Sequence, residues 1–131
     1  MSEIRKNNKK RILAVDDAAI ILQRITNTLE EYYSVITVNS GVRALKFLEI
    51  EKPDLILLDI RMAPKDGFET LREIRSMEGR ADIPVIMLTG VEDSSFVMEG
   101  FKLGISDYIL KPFTPKDLIE RISRVLEGGK K

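Results

Sequence analysis

Residues suited to phosphate or metal chemistry recur in this sequence at one kind of place, directly at the end of a short apolar run. Asp16 and Asp17 follow RILAV, Asp59 follows LILL, Thr89 ends PVIMLT and Lys111 ends DYILK. Apolar runs of this length without alternation suit parallel strands buried on both faces. Ligands of open α/β sheets bind outside the carboxyl ends of the strands, so all five residues are expected on the working edge of one sheet. Three carboxylates meeting there repel one another and raise at least one pKa unless a cation neutralises them. Hard oxygen ligands of this kind suit Mg²⁺. Such a cation with open positions holds phosphoryl oxygens, and an aspartate is a capable nucleophile toward phosphorus. Lys111 adds a compact positive charge, Thr89 a hydroxyl, and the N-termini of the following helices favour anions.

Each of these residues also has a purely architectural use. Asp17 could N-cap the first helix, Asp59 could stabilise a turn, Thr89 could cap the fourth helix, and Tyr108 could be a plain strand aromatic. Taken together with Lys111, the aspartates favour a site over a set of unrelated caps. Asp66 and Glu69 have the spacing of a capping box, so Asp66 and Gly67 read as mostly structural. Met62 reads as a plug of the loop after Asp59.

The elements that would position this edge follow from periodicity. After the first strand, residues 18–32 place Ile21, Ile25, Leu29 and Tyr32 on one helical face. SVITV is a second strand, and Ser40 can cap a helix over residues 41–51 with Val42, Leu45 and Leu48 inward. Pro53 precedes the third strand, and Phe68, Leu71 and Ile74 mark the buried stripe of the third helix. The fourth helix, near residues 94–103, is interrupted by Gly100 and reads as the least secure and most mobile element. Phe96, Val97 and Phe101 cannot all occupy one face of it, which leaves burial by loops or exposure to a partner open for at least one of them. Thr114 caps the last helix, Pro115 occupies its first turn, and Leu118, Ile119, Ile122, Val125 and Leu126 face inward. Five strand-then-helix units with short links predict a doubly wound parallel sheet with right-handed crossovers and helices on both faces.

Composition narrows the chemistry. The chain has 131 residues, 44% hydrophobic and 32% charged, which suits one domain. Lys plus Arg and Asp plus Glu each count 21, so the overall balance gives no pointer to nucleic acid or an anionic membrane. The charge is uneven, however: Arg5, Lys6, Lys9, Lys10 and Arg11 face the single acid Glu3 in the first eleven residues. The absence of Cys and His removes disulfides, thiolate metal sites, most zinc sites and imidazole catalysis. No apolar stretch approaches the roughly 20 residues of a membrane span, so a cytoplasmic protein without membrane insertion is expected. Residues 1–10 read as a flexible basic leader, 11–127 as the domain and 128–131 as a tail.

The paired acids Asp16-Asp17, Asp59 within LLDIRM, Asp66-Gly67, Thr89, and DYILKPF over residues 107–113 together resemble a response-regulator receiver domain of two-component signalling, of the chemotaxis-regulator kind. The resemblance covers nearly the whole chain. It implies a flavodoxin-like strand order 2-1-3-4-5 and phosphorylation of Asp59 from a sensor histidine kinase or a histidine phosphotransfer protein. It implies Mg²⁺ held by Asp17, Asp59 and the backbone carbonyl of Arg61, with Asp16 acting mainly through water, and Asp59 and Lys111 as the catalytic pair. It further implies a switch: Thr89 moves toward the acyl phosphate, Lys111 pairs with it, Tyr108 turns inward, and the face made by helix four, strand five and helix five changes its affinity for a partner. A cis Lys111–Pro112 peptide is implied as well.

The sequence departs from the family at Ala63-Pro64, where proline commonly stands one position earlier, so the loop path is expected to differ slightly. Arg61 and Val91, each two positions after a site residue, are expected to set the lifetime of the acyl phosphate. The leading reading is a stand-alone, non-enzymatic phospho-acceptor with an unknown downstream protein, no nucleic-acid partner, and a monomeric or weakly phosphorylation-dependent dimeric state. A receiver-fold binding module that is never phosphorylated is the alternative. A phosphatase of the haloacid dehalogenase type needs a D-x-D motif after the first strand, and the sequence has none.

Overall fold

The computed structural model describes residues 9–90 and 94–128, with the side chains of residues 94–97 outside the description. The elements are β1 (Arg11–Val15), α1 (Ala19–Leu29), β2 (Ser34–Val38), α2 (Gly41–Ile50), β3 (Leu55–Asp59), α3 (Gly67–Arg75), β4 (Val85–Gly90), α4 (Ser94–Lys102), β5 (Asp107–Lys111) and α5 (Pro115–Gly128). The strands form one parallel sheet in the order β2-β1-β3-β4-β5, as the resemblance implies.

The unbroken apolar run of β3 is explained by two cores rather than one. Ile56 and Leu58 join Leu13, Val15, Val85 and Met87 beneath α2 and α3. Leu55 and Leu57 point the opposite way and join Ile12, Ala14, Ile86 and Leu88 beneath α1 and α5. Successive strand residues alternate faces, so a strand covered on both sides must be apolar at every position. All five residues of β3 are buried. No described helix is long and apolar enough to cross a membrane.

Two inward assignments are corrected by the structure. Helix α1 ends at Leu29, and the Leu29 carbonyl accepts from both Tyr32 and Tyr33 in the turn that follows. Tyr32 therefore leaves the helical stripe and is 51% exposed. In α2 the buried stripe is Gly41, Ala44 and Leu48, while Val42 is 42% exposed. The reason is close approach of α3: a Cβ on Gly41 would lie 2.1 Å from Thr70 Oγ1. The smallest residues face the tightest contact, and periodicity counted from large apolar side chains misses them.

Gly100 gains a packing reason of the same kind. A Cβ there would lie 2.9 Å from Cδ1 of the buried Ile105.

Arg75, at the end of α3, draws several segments together. Its Nε donates to the Leu103 carbonyl, Nη2 to that of Gly104, and Nη1 to those of Ala81 and Ile83, each at 3.0 Å. One planar guanidinium thus ties the turn after α4 to the segment entering β4. Replacement Arg75→Met is expected to lower unfolding stability by about 2 kcal/mol in urea titrations, because four charged hydrogen bonds are lost, two of them part-buried. Arg75→Lys should recover little, since one ammonium cannot reach the same fork of acceptors. Equal midpoints for Arg75→Met and the unsubstituted protein would show that water replaces the guanidinium without loss.

Candidate functional site: an acidic edge bridged by one lysine

Strand register brings the expected residues together. Val15 pairs with Leu58, so Asp16 and Asp59 leave their strands side by side. Asp59 pairs with Leu88, one residue before Thr89, and Gly90 pairs with Lys111. The five residues therefore end four adjacent elements at one edge.

Asp16 is fully buried and Asp59 is 4% exposed. Lys111 Nζ donates to Asp16 Oδ2 and to Asp59 Oδ1, both at 2.9 Å. The second oxygen of Asp16 accepts the Ala18 amide at 2.9 Å, which fixes that carboxylate at the mouth of α1. Asp17 is exposed, and it does not cap α1: the cap position is Ala18, without a side-chain bond. One carboxylate oxygen from each of Asp16, Asp17 and Asp59 lies within 4.8 Å of the others.

The electrostatics follow from counting charges, since one ammonium serves two buried carboxylates. Burial pushes the Asp59 carboxyl up to about 6, opposed by the Lys111 hydrogen bond, reinforced by the negative charge of Asp16, and opposed again by the Lys111 charge and a backbone hydrogen bond from Arg61. Burial works against the charge of Lys111, yet the hydrogen bonds to Asp16 and Asp59 outweigh it and raise its pKa. By formal charge, two carboxylates against one ammonium leave one negative charge in excess. A divalent cation is the natural complement, and three hard oxygen donors this close fit Mg²⁺.

The remaining residues surround this centre. Thr89 is buried and its hydroxyl donates to the Gly90 carbonyl at 3.1 Å. A cleft of 440 Å³ opens over Asp16, Asp17, Asp59 and Lys111, walled by Arg24, Arg61 and Phe113. Arg24 carried no signal in the sequence beyond its place three residues after Ile21 on α1. Arg61 is exposed, and Met62 is buried in the core under α2 and α3, as a plug would be. Both Ala63–Pro64 and Lys111–Pro112 are cis peptides. Asp66 and Glu69 form the reciprocal capping box, with bonds of 2.9 and 3.0 Å. Tyr108 stands apart from the acidic cleft, its ring edge-on to Phe101 with centroids 6.3 Å apart. Val91 lies outside the described residues, as do the side chains of Phe96 and Val97.

Residues 12–123 match the family model of the response regulator receiver domain. The chain belongs to that family. This receiver domain is 41% identical over 121 residues to "Probable transcriptional regulator ycf27" of Cyanophora paradoxa, covering 91% of this chain and 49% of that protein. It is 38% identical over 118 residues to the alkaline phosphatase synthesis transcriptional regulatory protein PhoP of Bacillus subtilis (strain 168), covering 89% of this chain and 48% of that protein. The chain spans about half the length of these curated relatives. Among solved structures, the chemotaxis response regulator CheY4 of Vibrio cholerae superposes with a TM-score of 0.84 at 31% identity, covering 89% of this chain and 98% of that one. Receiver domains are signalling domains of two-component systems that work with sensor histidine kinases, and they are not conventional enzymes.

Proposed function

We propose that this receiver domain accepts a phosphoryl group on Asp59 and uses it to change partner binding on the face formed by α4, β5 and α5. The observation that carries the reading is the acidic edge itself, three carboxylates within 4.8 Å with Lys111 bridging two of them. In the transfer, a carboxylate oxygen of Asp59 forms an O–P bond as the P–N bond of a donor phosphohistidine breaks, and the imidazole leaves with its electron pair. Asp59, pushed up to about 6, is still mostly ionised at pH 7 and available for attack. Asp16, Asp17, Asp59 and the Arg61 carbonyl are the groups that would hold Mg²⁺. Bound there, the ion supplies neutralisation of phosphoryl oxygens as charge develops. Lys111 exchanges an aspartate oxygen for a phosphoryl oxygen, so no new buried charge is left alone. Thr89, one strand away, gives up its bond to the Gly90 carbonyl and donates to the acyl phosphate.

The donor is a sensor histidine kinase or a histidine phosphotransfer protein. The readout face carries the exposed Met98, Phe101 and Leu110, with the Tyr108 ring packed against Phe101. Inward rotation of Tyr108 would take away that contact and alter the apolar surface a partner meets. Incubation with Mg²⁺ and acetyl phosphate is the test. A mass gain of one phosphoryl group, lost when EDTA is present, supports the reading. A protein that gains no mass, gives no beryllofluoride complex and shows no change around Tyr108 is instead a binding module that keeps the fold without the chemistry.

A further inference from the structure

We propose that Gly67 is a positioning residue for the metal loop: with no side chain, it lets the first turn of α3 press against the Asp59–Ile60 backbone and so fixes the direction of the Arg61 carbonyl. The inference rests on the reading of the acidic edge as a Mg²⁺ site. A Cβ on Gly67 would lie 2.3 Å from the Asp59 carbonyl oxygen, 2.8 Å from Ile60 Cα and 3.1 Å from the Asp59 carbonyl carbon. All three are backbone atoms, which cannot rotate out of the way as a side chain would. The requirement is one of space, not of backbone conformation.

The segment pressed by Gly67 is also held from both sides. Gly67 donates its amide to the Ile60 carbonyl at 2.8 Å, and Ile60 donates its own amide to the Leu88 carbonyl of β4 at 3.1 Å. Ile60 is thereby gripped between the sheet and the helix, with Asp59 on one side of it and Arg61 on the other. The capping box of Asp66 and Glu69 keeps the gripping turn of α3 in place. A methyl group at position 67 must move either that turn or the Asp59–Ile60 segment. The segment carries one metal ligand and leads directly into the second, so either displacement misplaces a donor oxygen.

The test is the Mg²⁺ dissociation constant, measured by calorimetry on unphosphorylated protein. Gly67→Ala is expected to weaken Mg²⁺ binding by about tenfold or more, the scale seen when groups that orient metal ligands are lost. Gly104→Ala is the control, because its φ of +83° strains any side chain and it sits before β5, at the opposite edge of the sheet from the metal loop. It should lose stability yet keep its Mg²⁺ affinity within about twofold, as distant sites act independently. Unchanged affinity in Gly67→Ala, or an equal loss in Gly104→Ala, overturns the proposal.

Should Gly67→Ala fail to fold, Glu69→Ala loosens the gripping turn by removing the acceptor of the Asp66 amide, and Glu69→Gln keeps that acceptor while removing the charge. Weaker Mg²⁺ binding in Glu69→Ala but not in Glu69→Gln upholds the role of the turn; equal binding in both overturns it. A wild-type protein that takes up no Mg²⁺ instead overturns the reading of the acidic edge.

Discussion

Asp59→Asn is expected to abolish acyl phosphate formation entirely while making the metal-free protein more stable at neutral pH. The loss follows because an amide cannot attack phosphorus, and Asp16, the other carboxylate bound by Lys111, is held by Ala18 and Lys111. The gain follows from the sign of the Asp59 shift. Its carboxyl ionises at about 6 in the folded chain against an ordinary 3.8, so between these values the native state binds a proton that the unfolded state has released. Stability then falls as pH rises through that window, and the full penalty is present above it. The penalty is about 1–3 kcal/mol at pH 7, since each pKa unit corresponds to about 1.4 kcal/mol. Urea titrations of both proteins at pH 4, 5.5 and 7 should show Asp59→Asn pulling ahead only as pH rises. Saturating Mg²⁺ should narrow the gap by stabilising the parent protein alone. Parallel curves at all three pH values would show that the carboxylate is not strained by its surroundings.

Lys111→Met is expected to be the most destabilising change at the site, by about 3 kcal/mol or more at pH 7, because removing one partner of a buried ion pair leaves the other charge uncompensated. Here two carboxylates are left, Asp16 and Asp59, each bound to Lys111 Nζ at 2.9 Å. The deficit should shrink toward pH 5 as Asp59 takes a proton. It should shrink again in the double variant Lys111→Met with Asp59→Asn, and by more than the gain Asp59→Asn gives alone, because the carboxylate removed there has lost its counter-charge. A gain from Asp59→Asn that is the same with and without Lys111 would mean that Lys111 stabilises the fold through its methylene stem and not through its charge.

Those two substitutions concern the part of the molecule most legible in the sequence. An apolar run with an acid at its end states both the strand and its exit point, and β3 is buried at every position as the run implies. The edge residues were readable because parallel strands in this fold all leave toward the same side. The bridge made by Lys111 was not readable, because it depends on register, Gly90 opposite Lys111 and Asp59 opposite Leu88, which residue type does not specify. Helix stripes failed where small residues make the contact, as Gly41 and Ala44 do in place of Val42. The end of α1 failed because the chain turns at the Leu29 carbonyl before a further helical turn would bury Tyr32. Arg75 left no trace in the pattern, since its four acceptors are backbone carbonyls and carry no side-chain identity. Arg24 and Phe113, likewise, become cleft walls only after α1 and the loop following β5 are packed on the sheet.

The grip of Arg75 on the Leu103 and Gly104 carbonyls also sets the geometry of any motion of α4. A helix fastened at its C-terminal end cannot slide along the sheet while those bonds persist; it can only swing about that end, like an oar in its lock. With nine residues, α4 is about 13 Å long, so a tilt of about 10° carries its N-terminal end about 2 Å while its C-terminal end stays nearly still. The Arg72–Glu99 ion pair, bridging α3 and the middle of α4, would feel an intermediate displacement. A small rearrangement near Thr89 would thus arrive at the exposed face as a graded angular change, largest beside the acidic edge and vanishing at the arginine.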